Sequence, residues 1–403
     1  MDMTPPPITR QKLVMVGNGM AGVRTLEELL KIAPDLYDIT VFGAEPHPNY
    51  NRILLSPVLA GEQTLDEIVL NDWAWYRDHG ITLHAGWTVT AVDRVRRVVH
   101  AENAAGEILS AEYDRLLLAT GSNPFILPIP GKDLEGVIAY RDIADTHAMI
   151  EASQKYPRAV VIGGGLLGLE AANGLMKRGM QVTVIHVMAT LMERQLDDVA
   201  GRMLQKSLEE RGLRFVMGGQ TRSLIGDTDD GTSGRVIAVQ LNDGTVIPTD
   251  LVVMAVGIRP NTELAERMRL HVNRGIVVSD TMQTVTDARI YSVGECAAHR
   301  GIAYGLVAPL FEQGKVAANH LAQFGIGRYT GSLTSTKLKV TGIDLFSCGN
   351  FLGTSSGRPE DAGTEEIVLS DPFGGVYKKL VIQDDKLVGA CLYGDTVDGS
   401  WYF

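Results

Sequence analysis

An α/β fold with two Rossmann-like dinucleotide-binding domains and a small C-terminal α+β domain is predicted by three features of this 403-residue sequence. A glycine fingerprint, G-x-G-x-x-G, occurs twice, at Gly17, Gly19 and Gly22 and again at Gly163, Gly165 and Gly168. Each fingerprint follows a short apolar run (12–16 and 159–162) and opens an amphipathic stretch, the strand–turn–helix context the motif requires. Each then heads the same succession of elements, closed by an apolar run and Ala-x-Gly, at 114–121 in the first copy and 250–257 in the second.

The elements follow in order. In the first copy a helix over 22–32 is apolar through Val23, Leu26, Leu29 and Leu30, and a strand over 38–42 ends near Glu45. Strands over 95–101 and 108–113 flank the turn Asn103–Gly106. The second copy repeats this with a helix over 169–178, a strand over 181–185 and two strands (235–241, 245–248) around Asn242–Gly244. Beyond Gly257 the chain returns to the first domain through 275–296 and a helix after Tyr304. From Gly331 onward alternating strands are expected at 337–340, 376–382 and 387–392, with a Gly-, Ser- and Pro-rich loop over 352–363. The expected division is 1–122 with 258–330, 123–257, and 331–403.

Composition narrows the function classes. The net charge of −11 argues against non-specific nucleic-acid binding. No apolar run of about 18 residues is present, and the start of the chain lacks a basic n-region and an apolar h-region, so a cytoplasmic protein with no membrane contact is expected. Cys296, Cys348 and Cys391 are widely spaced, with no C-x-x-C or C-x4-C pair; reduced, mostly buried thiols are expected. Three cysteines fall short of the four thiolates of a typical iron–sulfur cluster, and the nine scattered histidines form no H-x-x-x-H or His/Cys group, so no metal site is expected. Trp73, Trp75, Tyr76 and Trp87 read as packing around the first domain. The acidic pairs Asp66-Glu67, Glu209-Glu210 and Asp384-Asp385 read as solvated faces or turns.

In G-x-G-x-x-G the first glycine makes the tight turn and the second lets backbone approach a pyrophosphate. The third lets helix and strand pack closely, and the helix N-terminus adds positive potential. Two fingerprints imply two dinucleotides, and a chain that holds two commonly passes electrons between them. The end of the second strand normally carries an acid for the adenosine ribose. Glu45 fills that place in the first copy, slightly late after Phe42; the second copy has His186 instead, with Arg194 eight residues on as a candidate for a 2′-phosphate. NADH and NADPH therefore both stay open. An acid after a glycine at a strand end, Gly294-Glu295, is suited to a ribityl hydroxyl, and the helix opened by Gly305 to Pro309 can face an electron-rich ring edge.

These features resemble the two-dinucleotide flavoprotein reductases, the glutathione-reductase-like superfamily. Within it the chain is most similar to the N-terminal FAD-binding part of the large subunit of NAD(P)H-dependent nitrite reductases, through the stretches 48–56, 191–197, 292–296 and 304–310. The resemblance implies FAD at the first fingerprint, in contact with Gly17, Gly19, Met20, Ala21, Gly22, Glu45, Arg52, Ser56, Val89, Ala119, Thr120, Gly121, Gly294, Glu295, Val307 and Ala308. It implies NADH or NADPH at the second, with Gly163, Gly165, Leu166, Leu167, Gly168, His186, Arg194 and Gly257. Glu170 matches a family position near the nicotinamide and the flavin and is the catalytic candidate.

The departures from the superfamily are also informative. The stretch 51–61 contains no cysteine, where disulfide reductases carry a pair and peroxide- or oxygen-reducing relatives carry one. Pro57 follows Ser56 where small ferredoxin-reductase relatives often place a lysine, which removes the expected lysine–glutamate pair with Glu170. The implied activity is hydride transfer from NAD(P)H to FAD, then single electrons to iron–sulfur or siroheme centres outside this chain or to a separate redox carrier. The alternatives are a stand-alone ferredoxin or rubredoxin reductase, an NADH oxidase, and a non-catalytic FAD/NAD-binding sensor. A fragment of the large subunit and a short stand-alone homologue both fit the length, and a homodimer is compatible with it.

Overall fold

The computed structural model describes residues 10–338, 340, 342–361 and 363–403. The chain forms two compact units. One comprises Met1–Arg52, Ile68–Asn123 and Arg259–Ser332, the other Ile53–Glu67, Pro124–Ile258 and Leu333–Phe403.

The first unit is built on a five-stranded sheet in the order Ile290–Ser292, Arg115–Leu118, Gln11–Val16, Tyr37–Gly43, Ile81–Ala85, every pair parallel. The central stretches Leu13–Val16 and Leu116–Leu118 are buried and apolar on both faces because both faces are covered. Leu13 and Met15 face one side, with Leu26, Leu29, Ala317 and Leu321; Val14 and Val16 face the other, with Val99, Ala101 and Leu264. Helix Met20–Ile32 buries Val23, Leu26 and Leu29, one stripe at three-residue spacing. Helix Val307–Leu321 lies against it, and Gly314 permits the approach: a Cβ there would stand 3.0 Å from Thr25 Oγ1. The strand Ile290–Ser292, far along the chain, forms one edge of the sheet. A three-stranded meander, Trp87–Asp93, Val98–Asn103 and Ile108–Glu112, covers the second face. Val95, expected in a strand, is instead an exposed turn residue, held through Asp93 Oδ1, which accepts the Val95 and Arg96 amides. Tyr76 is buried and donates to Asn18 Oδ1, and Trp75 packs beside it. Trp73, read as packing, is instead 52% exposed, at the start of the short helix whose buried residue is Tyr76.

The second unit repeats the plan: Val137–Ala139, Leu251–Met254, Arg158–Ile162, Gln181–His186, Arg214–Met217, again all parallel. Its meander is Thr221–Gly226, Val236–Leu241 and Val246–Pro248. Helix Leu166–Lys177 is packed from outside by the short helix Leu55–Leu59; a Cβ on Gly174 would meet Leu59 Cγ at 2.7 Å. The C-terminal sheet is antiparallel, in the order Ser335–Thr336, Leu345–Gly349, Lys386–Tyr393, Val376–Gln383, Glu365–Asp371. The strand expected at 337–340 is replaced by Ser335–Thr336, and Lys339 lies outside the described residues. Two strands of this sheet, Leu345–Gly349 and Glu365–Asp371, were not anticipated. Asp384 and Asp385 form its two-residue hairpin turn, both with positive φ (49° and 59°), as such turns require.

The C-terminal sheet is tied to helix Asp198–Glu210 by a buried polar group. Asp197 caps that helix at the Ala200 amide and accepts from Tyr377 Oη at 2.6 Å. The buried Lys379 ammonium lies 3.2 Å from Glu366 and 3.8 Å from Asp197, and donates to the Leu352 carbonyl at 3.0 Å. All three cysteines are free and buried. Among the described residues no helix is long and apolar enough to cross a membrane.

Candidate functional site

The two glycine turns are the same object built twice. Gly17 (φ +102°) and Gly163 (φ +121°) lie in the left-handed region, and a Cβ on either would fall 2.1 or 2.2 Å from the carbonyl oxygen of Ala119 or Ala255, in the closing run of each copy. Gly22 and Gly168 are also closely packed: a Cβ would meet Ala119 Cβ and Met15 Sδ at 2.9 Å in the first, and more tightly the Gly163 carbonyl oxygen at 2.0 Å in the second. The middle glycines are the opposite. Gly19 and Gly165 have nothing within 4 Å of a Cβ position. Both are N-caps without a side-chain cap bond, and neither helix has an acid in its first turn. Each turn therefore presents bare backbone N–H groups and the positive end of a helix to open space, a fit for a pyrophosphate.

Around the first turn, Glu45 accepts from Tyr50 Oη at 2.7 Å and pairs with the Arg52 guanidinium, which also lies 5.3 Å from the Tyr50 ring centroid. The closing turn is braced by Asn261: Thr120 Oγ1 donates to its carbonyl at 2.7 Å and its amide donates to the Gly121 carbonyl at 2.9 Å. Gly294 (φ +90°) donates its amide to Gln313 Oε1 at 2.9 Å, and Glu295 accepts from Ser122 Oγ at 2.7 Å. Helix Val307–Leu321 follows its N-cap Leu306, whose side chain caps none of the first-turn amides. Val89 is half-buried on the meander, while Met20 and Ala21 open the first helix. Asn261, Gln313 and Ser122 were not singled out by sequence reasoning, because each is fixed by a partner far along the chain.

In the second unit Glu170 is buried (8% exposed) and accepts from Ser56 Oγ at 2.7 Å; Tyr140 Oη donates to Ser56 Oγ at 3.2 Å. Burial pushes the Tyr140 phenol well above its ordinary value, so the hydroxyl keeps its proton. Tyr140 and Ser56 thus form a hydrogen-bonded chain that ends on the Glu170 carboxylate. His186 ends its strand as expected and is nearly buried, whereas the Arg194 side chain is 87% exposed. Leu166 and Leu167 open the second helix, and Gly257 (φ +114°) leaves the space beside it open. Among the described residues no group of three or more His, Cys, Asp or Glu could hold a metal ion.

A family profile described as pyridine nucleotide-disulphide oxidoreductase matches residues 11–322, and one described as the rubredoxin NAD+ reductase C-terminal domain matches 335–402. The chain is 52% identical, over 98% of its length and 47% of the relative's, to "Nitrite reductase [NAD(P)H]" of Bacillus subtilis. It is 48% identical to the "Assimilatory nitrate reductase electron transfer subunit" of the same organism, over 96% of its length and 48% of the relative's. It thus spans about half the length of these curated relatives. Among solved structures, putidaredoxin reductase in its covalent complex with putidaredoxin matches with a TM-score of 0.84 at 28% identity, over 97% of this chain and 91% of that one. The expected α/β fold with two Rossmann-like domains and a small C-terminal domain, and the expected resemblance, both hold; the sheet of the C-terminal domain is antiparallel.

Proposed function

Because this chain belongs to the pyridine nucleotide-disulphide oxidoreductase family, we propose that it is an FAD-dependent NAD(P)H oxidoreductase and the electron-entry module of an assimilatory-type nitrite reductase. The observation that carries the proposal is the pair of glycine turns in one chain, each with its middle glycine bare at an uncapped helix start. In this reading the first turn, with Glu45, Arg52, the turn at Thr120, and Glu295, holds FAD, and the second holds the nicotinamide nucleotide. Bound flavin supplies hydride acceptance and the release of electrons one at a time.

The chain's residues do the rest. The uncapped start of helix Val307–Leu321 aims amides and a positive helix end at developing negative charge. Ser56 and Tyr140 fix the Glu170 carboxylate, whose role in hydride transfer is part of this proposal. With its three thiols buried and no cysteine in 51–61, the chain does not exchange disulfides despite its family name. In this reading electrons leave for an iron–sulfur or siroheme centre outside these 403 residues, as the similarity to nitrite reductases suggests. The acidic composition supports a cytoplasmic location, and a homodimer belongs to the same reading.

The C-terminal match to a rubredoxin reductase domain favours a second reading, a reductase for a small protein carrier. The test is spectroscopic. Purified chain is expected to be yellow and to be bleached by NADH or NADPH without oxygen; a colourless protein that takes up no flavin on refolding refutes the proposal. Rapid reduction of added rubredoxin or ferredoxin moves the assignment to the second reading.

A further inference from the structure

The second nucleotide site lacks an acid at its strand end, where His186 stands. We propose that Glu193 supplies it: the Glu193 carboxylate accepts the adenosine 2′-hydroxyl and repels a 2′-phosphate, which makes the site NADH-selective. The inference rests on the pyridine-nucleotide reading above and names the selectivity of that site.

Three observations carry it. His186 is held at both ring nitrogens. The Gly164 amide donates to Nδ1 at 3.0 Å, so Nδ1 is the acceptor and Nε2 carries the proton that meets Glu193 Oε2 at 3.0 Å. A backbone amide of the glycine turn thus sets the tautomer that orients the carboxylate.

The loop carrying Glu193 is also pinned to the same turn. The Met192 amide donates to the Gly164 carbonyl at 3.1 Å, and a Cβ on Gly164 would stand 2.7 Å from both the His186 ring and Leu191. Met192 itself is fully buried at φ +53°, a left-handed conformation a methionine adopts only where its surroundings impose it. Seven residues late in sequence, the acid is returned to the strand end.

The carboxylate is also reachable. Its side chain is 29% exposed and lines an open cleft of about 530 Å³ with Arg194, Asn350, Phe351, Ser356 and Arg358. Oε1 lies 4.0 Å from Arg194 Nε, beyond hydrogen-bond reach, which leaves it open to a ribose hydroxyl. Arg194, the residue an NADPH reading needs, lines the same cleft but its side chain is 87% exposed, where water screens its charge. A hydroxyl placed at the carboxylate meets an acceptor; a phosphate dianion there meets the like charge of Glu193, which in this proposal outweighs the exposed Arg194 and the Arg358 on the cleft wall.

The test is calorimetric titration of the full flavin-loaded chain with NAD+ and, separately, NADP+, which needs no turnover. Wild type is expected to prefer NAD+. Glu193→Gln is expected to weaken NAD+ about tenfold and to narrow the NAD+/NADP+ ratio further, with the flavin spectrum unchanged. His186→Ala, which releases the carboxylate, is expected to shift the ratio the same way. An unchanged ratio in Glu193→Gln overturns the inference while leaving the oxidoreductase reading intact. So does a wild-type preference for NADP+ that Arg194→Ala abolishes. A chain that binds neither nucleotide overturns both.

Discussion

Replacing Gly165 by alanine separates binding from folding. Its φ of −84° and ψ of −177° suit any L-residue, and nothing lies within 4 Å of the new methyl. Folding therefore changes little: roughly 0.4–1 kcal/mol from a stiffer unfolded chain offsets the poorer helix capping of alanine. The methyl does occupy the space a pyrophosphate would use, where backbone amides must come within about 3 Å of phosphate oxygens. Losing two such charge-assisted bonds, at about 1.5 kcal/mol each, is worth roughly a hundredfold in affinity. Gly163→Ala is the contrast: at φ +121° with a carbonyl oxygen 2.2 Å away, it carries left-handed strain of about 1–2 kcal/mol and overpacking of about 1–3 kcal/mol. Denaturant midpoints and NAD+ titrations of both variants read the two effects independently. A Gly165→Ala protein with wild-type NAD+ affinity refutes the cradle; one that unfolds as readily as Gly163→Ala refutes the packing argument.

Three other perturbations probe separate parts of the molecule. Ser56→Ala removes one donor to Glu170, and anaerobic stopped-flow should show flavin bleaching slowed about tenfold with nucleotide affinity kept; an unchanged rate removes that hydrogen bond from the mechanism. Lys379→Met strips the buried ammonium from Asp197 and Glu366 and should cost about 3 kcal/mol in chemical denaturation; a loss under about 1 kcal/mol says the group is solvated. Asp280 is held down to about 2 by the Arg300 guanidinium and then by His299, against about 4 in an unfolded chain. Its contribution is therefore complete above pH 4 and lost between about pH 4 and 2, so the stability gap between wild type and Asp280→Asn should close across that window. A gap that stays constant with pH contradicts the pairing.

Both parallel sheets were legible because their signals are local: an apolar run, a glycine turn and a three-residue apolar stripe such as Val23, Leu26 and Leu29 lie within one window. The strand Glu365–Asp371 gave no such signal, since every residue on it is exposed and its apolar residues do not alternate with a buried face. The contacts of the nucleotide sites were hidden for a different reason. Ser56 and Glu170 are 114 residues apart, and the meeting of His186 with Glu193 depends on a buried left-handed methionine between them. Residue types told where a carboxylate was missing; only the loop path told which one returns.

The buried cysteines have a practical side. Burial pushes the Cys391 thiol up to about 12 and raises that of Cys348, so both stay protonated at neutral pH, and Cys296 is packed beneath the Leu118 and Val293 carbonyls. Thiol reagents should pass over all three. The native chain is then already a silent background in which one engineered surface cysteine takes up a spin label or fluorophore alone, without first stripping the wild-type sulfurs.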